Sequence, residues 1–392
     1  MPMTLPFAVR RPWLLTRELL QSRAQPNVPH LRRIEDPEAF MWRILPHAAR
    51  TFAPCITLLP AEPARATAVA YLYCRMLDTY EDLILVPEQR ETALAQFSRR
   101  FRSRNGGPPT PAPPLDASHA RDRRDQTHVV LVNRCHLLDD VFATLTPQAR
   151  ASIEDLVESM ANGMIWSSKA FADQGGVLRD RDQLSRYCRH VIGLPFLFAV
   201  RLLHERHTGD ATVSDELRED CMLAGEMVQL ANVTRDIEKD LRRGIAYHPD
   251  LNDHLGRTDV DDPILRECIR DVREQLLIRA LGLAPAYERM MLALPFRAVS
   301  LERASGVLML LFTDRYYRSC ARRVGRTSWP GPRSTLSLML PSFHHLVSAR
   351  GSAKTIRRIT ERFVRSAGRL TSTRREGTAR EAPPRGAARA PR

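Results

Sequence analysis

Two distant segments of the chain carry acidic and amide side chains at helical spacing. They place Tyr71, Arg75, Asp78 and Asp82 on one helix face, and Gln229, Asn232, Asp236 and Asp240 on another. Residues three or four positions apart point to the same side of a helix. Mg²⁺ is commonly held by a few carboxylates together with the phosphate oxygens of a substrate. The two stripes therefore indicate a metal–diphosphate site between two helices.

A solvated helix face is the ordinary alternative, because Asp and Glu next to Lys and Arg often form surface ion pairs. The neighbouring residues argue against it. Leu72 and Met76 surround the first stripe, and Val228 and Ile237 surround the second, so that both helices are expected to be largely buried. Buried carboxylates need a cationic partner or a metal. Two such stripes in one chain favour a functional site.

Five short segments resemble the squalene/phytoene synthases, the family that joins two prenyl diphosphates head to head. They occur in the family's order and read ARTF at 49–52, YLYCRMLDTYED at 71–82, ESMANGM at 158–164, YCRHVIG at 187–193 and QLANVTRDIEKDLRRGIAYHP at 229–249. The resemblance extends over residues 40–320. It implies an all-α fold, a single-domain isoprenoid-synthase-like helical bundle around a central cavity.

The same resemblance implies roles for individual residues. The metal would be held by Asp78, Asp82, Asn232, Asp236 and Asp240. The substrate diphosphates would be bound by Arg50, Thr51, Arg75, Gln229, Asn232, Arg242 and Arg243. The reacting centre would be lined by the catalytic residues Tyr71, Tyr187 and Tyr247. The implied metal is Mg²⁺, with Mn²⁺ as an alternative.

The implied reaction is the condensation of two prenyl diphosphates through a cyclopropylcarbinyl diphosphate intermediate. The DTYED form of the first acidic motif and the ARTF segment favour two farnesyl diphosphates, which would give presqualene diphosphate and then squalene or a related triterpene. A phytoene synthase that uses geranylgeranyl diphosphate is the alternative. A non-catalytic scaffold of the same fold is the alternative of another class, and the four retained Asp argue against it.

The chain departs from the family pattern at two places. Ala49 stands where relatives commonly have Ser before the basic residue, so that one diphosphate contact is expected to be missing. The Phe-Cys-rich segment of eukaryotic squalene synthases is not recognisable around LERASGVLMLLF at 301–312, and their C-terminal membrane anchor is expected to be absent. The use of NADPH is therefore left open.

The reaction also places demands on the cavity wall. A carbocation must be shielded from water, and aromatic faces can stabilise its positive charge. The candidates for this wall are Phe171, Phe196, Phe198 and Met164, for which ordinary core packing is the alternative. Gly163 and Gly193 lie in predicted helices, where they either make room for prenyl chains or allow close helix packing.

Helical periodicity dominates the chain, and the stripes are placed on long helices at 64–84 and 215–242. The predicted domains are an irregular N-terminal arm at 1–35, a catalytic domain at 36–325, a loop with a short helical segment at 326–349, and a basic, partly disordered tail at 350–392.

The tail is the most basic part of the chain. It contains thirteen Lys and Arg against three Glu, and thus carries +10 of the formal net charge of +14. Ile356, Ile359 and Phe363 share one face of a basic amphipathic helix, which favours peripheral contact with an anionic membrane. A solvated helix followed by a disordered, Pro-, Ala- and Arg-rich end is the alternative, and residues 371–392 are expected to be disordered in either case. No nucleic-acid recognition module accompanies the charge, so that nucleic acid is not an expected partner.

Seven Cys without CxxC spacing favour free thiols in a reducing compartment. Neither a signal peptide nor an apolar run of membrane-spanning length is found. The expected location is cytoplasmic, with peripheral contact at the inner face of the membrane. The oligomeric state stays open.

Overall fold

The computed structural model describes residues 5–21, 25–101, 109–257, 259, 262–325, 337–338 and 344–381. In these ranges the regular elements are helices, apart from an isolated bridge between Val177 and Ala246. The predicted all-α fold is thereby confirmed. The α-helices are α1 Phe7–Gln21, α2 Val28–Arg32, α3 Pro37–Ala49, α4 Phe52–Leu58, α5 Ala61–Leu83, α6 Pro87–Arg99, α7 Arg123–Asn133, α8 Cys135–Ala143, α9 Pro147–Asp173, α10 Arg181–Cys188, α11 Leu194–Thr208, α12 Asp215–Arg242, α13 Pro263–Gly282, α14 Ala284–Ala293, α15 Leu301–Val324 and α16 Ala349–Glu381.

The two stripe-bearing helices, α5 and α12, lie in the interior. Leu72 and Met76 of α5 are fully buried, and Val228 and Ile237 of α12 are nearly so. α12 begins at its N-cap Ser214, whose side chain accepts a hydrogen bond from the backbone N–H of Leu217 at 3.2 Å. α5 packs on α9, and α12 packs on α11, α13 and α14. The neighbouring helices thus surround both stripes, as the apolar residues predict.

A π-helical turn, Arg189–Gly193, joins α10 to α11. Pro195 has no N–H with which to continue the regular ladder, and the N–H of Leu194 bonds to the carbonyl of Arg189 instead. Gly193 in this turn faces Gly225 of α12 so closely that a Cβ on Gly225 would lie 2.5 Å from the Gly193 Cα. Glycine at both positions lets the turn and α12 touch, which sets the spacing of the helices around the site.

The N-terminal segment differs from the expected irregular arm. α1 and α2 occupy much of it, and Phe7, Leu14 and Leu15 of α1 belong to the hydrophobic core. α1 packs against α4, and Thr57 of α4 donates a hydrogen bond to the buried carboxylate of Glu18 at 2.5 Å. The arm is therefore part of the helical body.

The tail also differs from its prediction. α16 runs to Glu381, through much of the segment expected to be disordered, and residues 382–392 lie outside the described residues. Ile356 and Ile359 are each only 2% exposed and Phe363 is 0% exposed, because this face packs on α13, α14 and α15. The apolar stripe for which peripheral membrane contact is predicted thus packs inside the protein. The loop predicted at 326–349 lies largely outside the described residues.

All seven cysteines are free, and six of them are buried. Among the described residues, none of the helices combines the length and the apolar character needed to cross a membrane.

Candidate active site

A cavity of ≈ 340 Å³ opens between the central helices. Its polar wall is built by the last turns of α5 and α12, the corner between α3 and α4, and the start of α7. Its apolar wall is formed by Ile56, Leu59, Leu156, Met160, Val191, Phe196, Phe198, Leu203, Met290, Met291, Leu294 and Met309. The cavity can therefore hold a molecule with a charged end and a long apolar chain.

The acids of both stripes face this one cavity. Burial raises the pKa of Asp78 to about 6; Arg75 opposes this shift and Asp82 adds to it. Burial likewise raises the pKa of Asp240 to about 7, with Asp236 as the next cause. The pKa of Asp236 is lowered, because its ion pair with Arg235 outweighs the opposing effect of burial. Burial therefore disfavours the ionised forms of Asp78 and Asp240 in this site.

Glu81 adds a further carboxylate that the sequence reasoning did not select. It lies in the DTYED motif beside Asp82 and lines the same cavity. Burial, followed by the repulsion of Asp78 and Asp82, raises its pKa to about 8. The hydroxyl of Ser167 on α9 is 3.5 Å from the Glu81 carboxylate. The spacing of three residues after Asp78 is the signal that could have identified it.

Arginines pair with three of the acidic residues. Arg243, just after α12, donates to the carboxylate of Asp82 on α5 at 2.7 Å and so links the two stripes. Arg235 binds Asp236 through two hydrogen bonds of 2.7 and 2.6 Å, and Arg75 pairs with Asp78 at 3.1 Å. Each of these guanidinium groups thus pairs with a carboxylate of the two stripes.

A group of positive charges lines the cavity beside the acids. Arg124 of α7 contributes to it, although its RDRRDQ context resembles a surface charge run and gave no signal for a site. Burial and then the neighbouring Arg50 and Arg75 lower the pKa of Arg124. The Nε atoms of Arg75 and Arg124 are buried and have no hydrogen-bond partner among the described residues. Two unsatisfied cationic donors in a cavity suit an anionic ligand such as a phosphate.

Three tyrosines lie where the polar and apolar walls meet. Tyr71 accepts a hydrogen bond from Arg75 at 3.0 Å, and Tyr247 donates to the hydroxyl of Tyr187 at 3.1 Å. Burial is the main cause that raises the pKa of Tyr187 and of Tyr247 well above the ordinary value, so that both remain neutral phenols. Tyr247 is positioned by the bridge of its neighbour Ala246 to Val177.

Arg50 forms the sharp corner between α3 and α4. Its φ of 51° is the one positive value for a non-glycine residue in the described part of the chain. Such a conformation is strained for a side chain with a Cβ and is often retained at functional sites. The corner turns Ala49, Arg50 and Thr51 into the cavity wall, and the Thr51 hydroxyl lies 3.4 Å from the hydroxyl of Tyr316.

The structure brings every predicted site residue to this cavity except Arg242. Arg242 donates to the carbonyl of Glu238 in its own helix at 3.2 Å and lines a separate surface depression with Arg266 and Arg270. The neighbouring Arg243 faces the cavity instead. Adjacent residues on a helix point in directions about 100° apart, so that only one of the pair can reach the site.

Two of the four predicted wall residues, Phe196 and Phe198, line the cavity. Phe171 instead packs edge-on against Tyr247, with 5.6 Å between ring centroids, and Met164 belongs to the buried core. Gly163 and Gly193 allow close helix packing, which is the second of the two predicted roles. A Cβ on Gly163 would lie 2.3 Å from the ring of His190, and one on Gly193 would lie 2.9 Å from the Met222 sulfur.

The donor set fits a hard divalent cation that is bound only partly by the protein. Carboxylate and amide oxygens are its preferred ligands. Among the described residues, no three Asp, Glu, His or Cys side chains already form a metal-binding group. Burial is the main cause that raises the pKa of Asp78, Glu81 and Asp240, so a bound cation would favour their ionised forms. A cation held between these acids would therefore need further oxygen ligands, which a substrate diphosphate can supply.

Known proteins match this chain in sequence. A sequence model of the squalene/phytoene synthase family matches residues 45–335. The chain is 28% identical over 211 residues to lycopaoctaene synthase of Botryococcus braunii, covering 53% of this chain and 43% of that protein. It is 27% identical over 228 residues to squalene synthase ERG9 of Candida albicans, covering 57% and 48%. The match thus spans less than half the length of each relative.

Among solved structures, the fold is similar to that of TcSQS in complex with the ligand BPH1237. The TM-score is 0.56 at 18% sequence identity, and the superposition covers 86% of this chain and 100% of the other. A second complex of TcSQS, with the ligand E5700, gives a TM-score of 0.54. At this level of identity the likeness concerns the fold.

Proposed function

Since the chain belongs to the squalene/phytoene synthase family, we propose that it joins two prenyl diphosphates head to head, with farnesyl diphosphate as substrate. The reaction passes through a cyclopropylcarbinyl diphosphate and leads to a triterpene. The names of the relatives, lycopaoctaene synthase and squalene synthase, support this reaction class. The DTYED motif supports the farnesyl chain length.

One observation carries the proposal. Carboxylates from α5 and α12 and unsatisfied guanidinium donors from α5 and α7 face one cavity that continues into an apolar wall. The charged part matches a diphosphate with its counter-cation, and the apolar part matches an isoprenoid chain. A non-catalytic scaffold would not need to keep buried carboxylates of raised pKa in its interior, because such groups destabilise the folded state.

The charged wall would hold and release the diphosphate. Asp78 and Asp82 from one helix, with Asp236 and Asp240 from the other, would bind Mg²⁺ (or Mn²⁺) together with phosphate oxygens. When bound, the cation supplies positive charge that stabilises the departing diphosphate. Arg75, Arg124 and Arg243 and the amides of Gln229 and Asn232 would orient the phosphates.

The apolar wall would protect the carbocation that departure of the diphosphate leaves behind. Phe196 and the faces of Tyr187 and Tyr247 present aromatic surfaces to the cavity. The two phenols stay neutral and already share a hydrogen bond, which makes them poor nucleophiles. These residues can stabilise positive charge while they exclude water.

We also propose a cytoplasmic location. The support is that all seven thiols are free and that six of them are buried as small apolar groups.

Product analysis tests the proposed reaction. The purified full chain is incubated with farnesyl or geranylgeranyl diphosphate and Mg²⁺, with and without NADPH, and the extracted products are identified by mass spectrometry. We expect a C30 product from farnesyl diphosphate, and the NADPH arms decide whether the chain performs a reductive step. A C40 product from geranylgeranyl diphosphate alone would assign the phytoene synthase alternative. No product from either substrate would refute the proposal.

A matched pair of variants tests the site. Arg243→Gln removes the guanidinium that links both acidic stripes, whereas Arg242→Gln changes its neighbour outside the cavity. We expect the first to lower turnover by about a hundredfold and the second to change it less than about twofold. Asp236→Asn should abolish turnover in the presence of Mg²⁺ while the protein stays folded by circular dichroism. Undiminished turnover of Asp236→Asn would remove this residue from the proposed metal set.

A further inference from the structure

A carboxylate that does not belong to the two stripes lines the cavity. Glu302, in the first turn of α15, is one of the lining residues and is 6% exposed. The helix dipole favours an acid in the first turn of a helix, but it does not require the side chain to face a cavity. The proposed metal and diphosphate are bound by other helices, so that Glu302 needs a separate explanation.

The position of Glu302 can be measured along α5. Arg206 on α11 lies 3.6 Å from the Glu302 carboxylate and 4.0 Å from that of Glu62, in the first turn of α5. Glu302 is therefore at the level of the start of α5. Asp78 follows Glu62 by sixteen residues, which corresponds to about 24 Å of α-helix. Glu302 thus lies at the end of the cavity away from the acidic stripes.

Several elements hold the Glu302 carboxylate at this end. The Ser300 hydroxyl donates a hydrogen bond to it at 2.8 Å. The Nε2 atom of His207 on α11 lies 3.7 Å from it, is buried and has no hydrogen-bond partner among the described residues. Arg11 of α1 interacts with it electrostatically and donates to the carbonyl of Leu59 at 3.0 Å. The carboxylate is therefore fixed between α1, α11 and α15.

The cavity wall next to this carboxylate is apolar. Leu203 lies one turn before His207 on α11, and Leu59 is the residue whose carbonyl Arg11 binds; both leucines line the cavity. A hydrocarbon chain that extended past them would remove water from the carboxylate and offer it no hydrogen bond. Burial of a charged group in this way costs free energy. Glu302 therefore disfavours a ligand that reaches the end of the cavity.

The distance between the stripes and Glu302 matches one chain length. With C–C single bonds of about 1.5 Å, the extended main chain of a farnesyl group is roughly 14 Å long and that of a geranylgeranyl group roughly 19 Å. The cation and the diphosphate occupy several more ångströms next to Asp78. A farnesyl chain would therefore end before Glu302, whereas the last isoprene unit of a geranylgeranyl chain would reach it.

We propose that Glu302 limits the isoprenoid chain in this cavity to the farnesyl length. The inference rests on the proposed function and adds to it the residue that selects the substrate. The selection depends on a buried carboxylate held by its neighbours, so that its removal should admit the longer chain.

Isothermal titration calorimetry of the full chain with Mg²⁺ tests the proposal. The ligands are the S-thiolodiphosphates of farnesol and geranylgeraniol, in which sulfur replaces the bridging oxygen and slows departure of the diphosphate. We expect the unchanged chain to bind the farnesyl analogue about tenfold more tightly, because the longer analogue must desolvate the carboxylate. In Glu302→Ala the two affinities should agree within about twofold, since the added isoprene unit can then be buried.

Glu62→Ala is the matched control. It removes the other carboxylate that contacts Arg206, but the Glu62 side chain is 83% exposed and does not line the cavity. This variant should keep the tenfold preference of the unchanged chain. Glu302→Gln preserves the size of the side chain and a hydrogen-bond acceptor for Ser300, and it should shift the preference in the same direction as Glu302→Ala. Thermal melts by circular dichroism check that the variants are folded.

The outcomes separate this proposal from the proposed function. Equal affinity of the unchanged chain for both analogues, an unaltered preference in both Glu302 variants, or an equal change in Glu62→Ala would overturn the role of Glu302 alone. Binding of neither analogue by the unchanged chain would refute the proposed function, and the role of Glu302 with it.

Discussion

Glu81→Gln should make the metal-free protein more stable at alkaline pH. Glu81 lies between Asp78 and Asp82, and burial together with these two charges raises its pKa from 4.5 to about 8. In the folded protein it is therefore protonated at neutral pH, while in the unfolded chain it is ionised. Glutamine has nearly the same shape and carries no charge at any pH.

The sign and size of the effect follow from proton linkage. Between pH 4.5 and about 8 the folded state binds a proton at Glu81 that the unfolded state has lost, so the free energy of unfolding falls as pH rises through this window. A shift of about 3.5 pKa units sets a ceiling of about 5 kcal/mol. Glu81 is not fully buried, and solvent screening reduces the expected effect to roughly 1–3 kcal/mol.

Urea denaturation in EDTA at about pH 5.5 and about pH 8.5 measures this effect. The unchanged chain and Glu81→Gln should differ by less than about 1 kcal/mol at the lower pH, and the variant should be more stable by roughly 1–3 kcal/mol at the higher pH. Glu62→Gln is the control, because the Glu62 side chain is 83% exposed and forms only a 4.0 Å contact with Arg206. Parallel pH profiles for the unchanged chain and Glu81→Gln would refute the assignment of a buried, proton-binding carboxylate.

Three further outcomes are expected. Mg²⁺ with inorganic pyrophosphate should raise the melting temperature clearly, whereas Mg²⁺ alone should raise it only slightly. The rise should be larger at pH 8 than at pH 6, because the cation must displace protons from the acids of raised pKa. Equal shifts with and without pyrophosphate would contradict a shared site. Gly225→Ala should cost about 2–4 kcal/mol of stability, because its Cβ would lie 2.5 Å from the Gly193 Cα. Gly282→Ala, whose Cβ would meet no atom within 4 Å, should be neutral or stabilising in the same denaturation assay. Phe363→Ala should lower the free energy of unfolding by about 3–5 kcal/mol, because this side chain is buried. Val364→Ala changes the neighbouring residue on the exposed face of α16 and should lower it by less than about 0.5 kcal/mol. Equal losses of stability would mean that α16 does not pack on the body as described.

The sequence was sufficient to predict the helical class and most of the site, because both depend on local spacing. Tyr71 to Asp82 and Gln229 to Asp240 lie on faces that helical periodicity defines, and each helix falls close to its predicted bounds. The same reasoning could not choose between Arg242 and Arg243. Both follow the second acidic motif directly, and the choice depends on how α12 is rotated against α5.

Other features depend on contacts that are distant in sequence. Arg124 reaches the cavity only because α7 packs against α5, and a charged segment after a Pro-rich loop gives no sign of this. The sequence of the apolar stripe of α16 fits contact with a bilayer and packing on α13 and α14 equally well. Likewise, Pro12 within α1 disfavours a helix in the sequence alone, and the packing of α1 on α4 is a contact distant in sequence.

For the proposed function, the positions of the acids within their helices explain why the site would need cations from two sources. Asp82 and Asp240 lie in the last turns of α5 and α12, where unpaired carbonyl groups add partial negative charge to that of the carboxylates. A diphosphate would be repelled from these helix ends if they were its only neighbours. The α3–α4 corner and α7 bring Arg50 and Arg124 to the same wall from outside the two acidic helices. A metal bound by the acids and guanidinium groups from these other elements can together bind the diphosphate that neither helix end could bind alone.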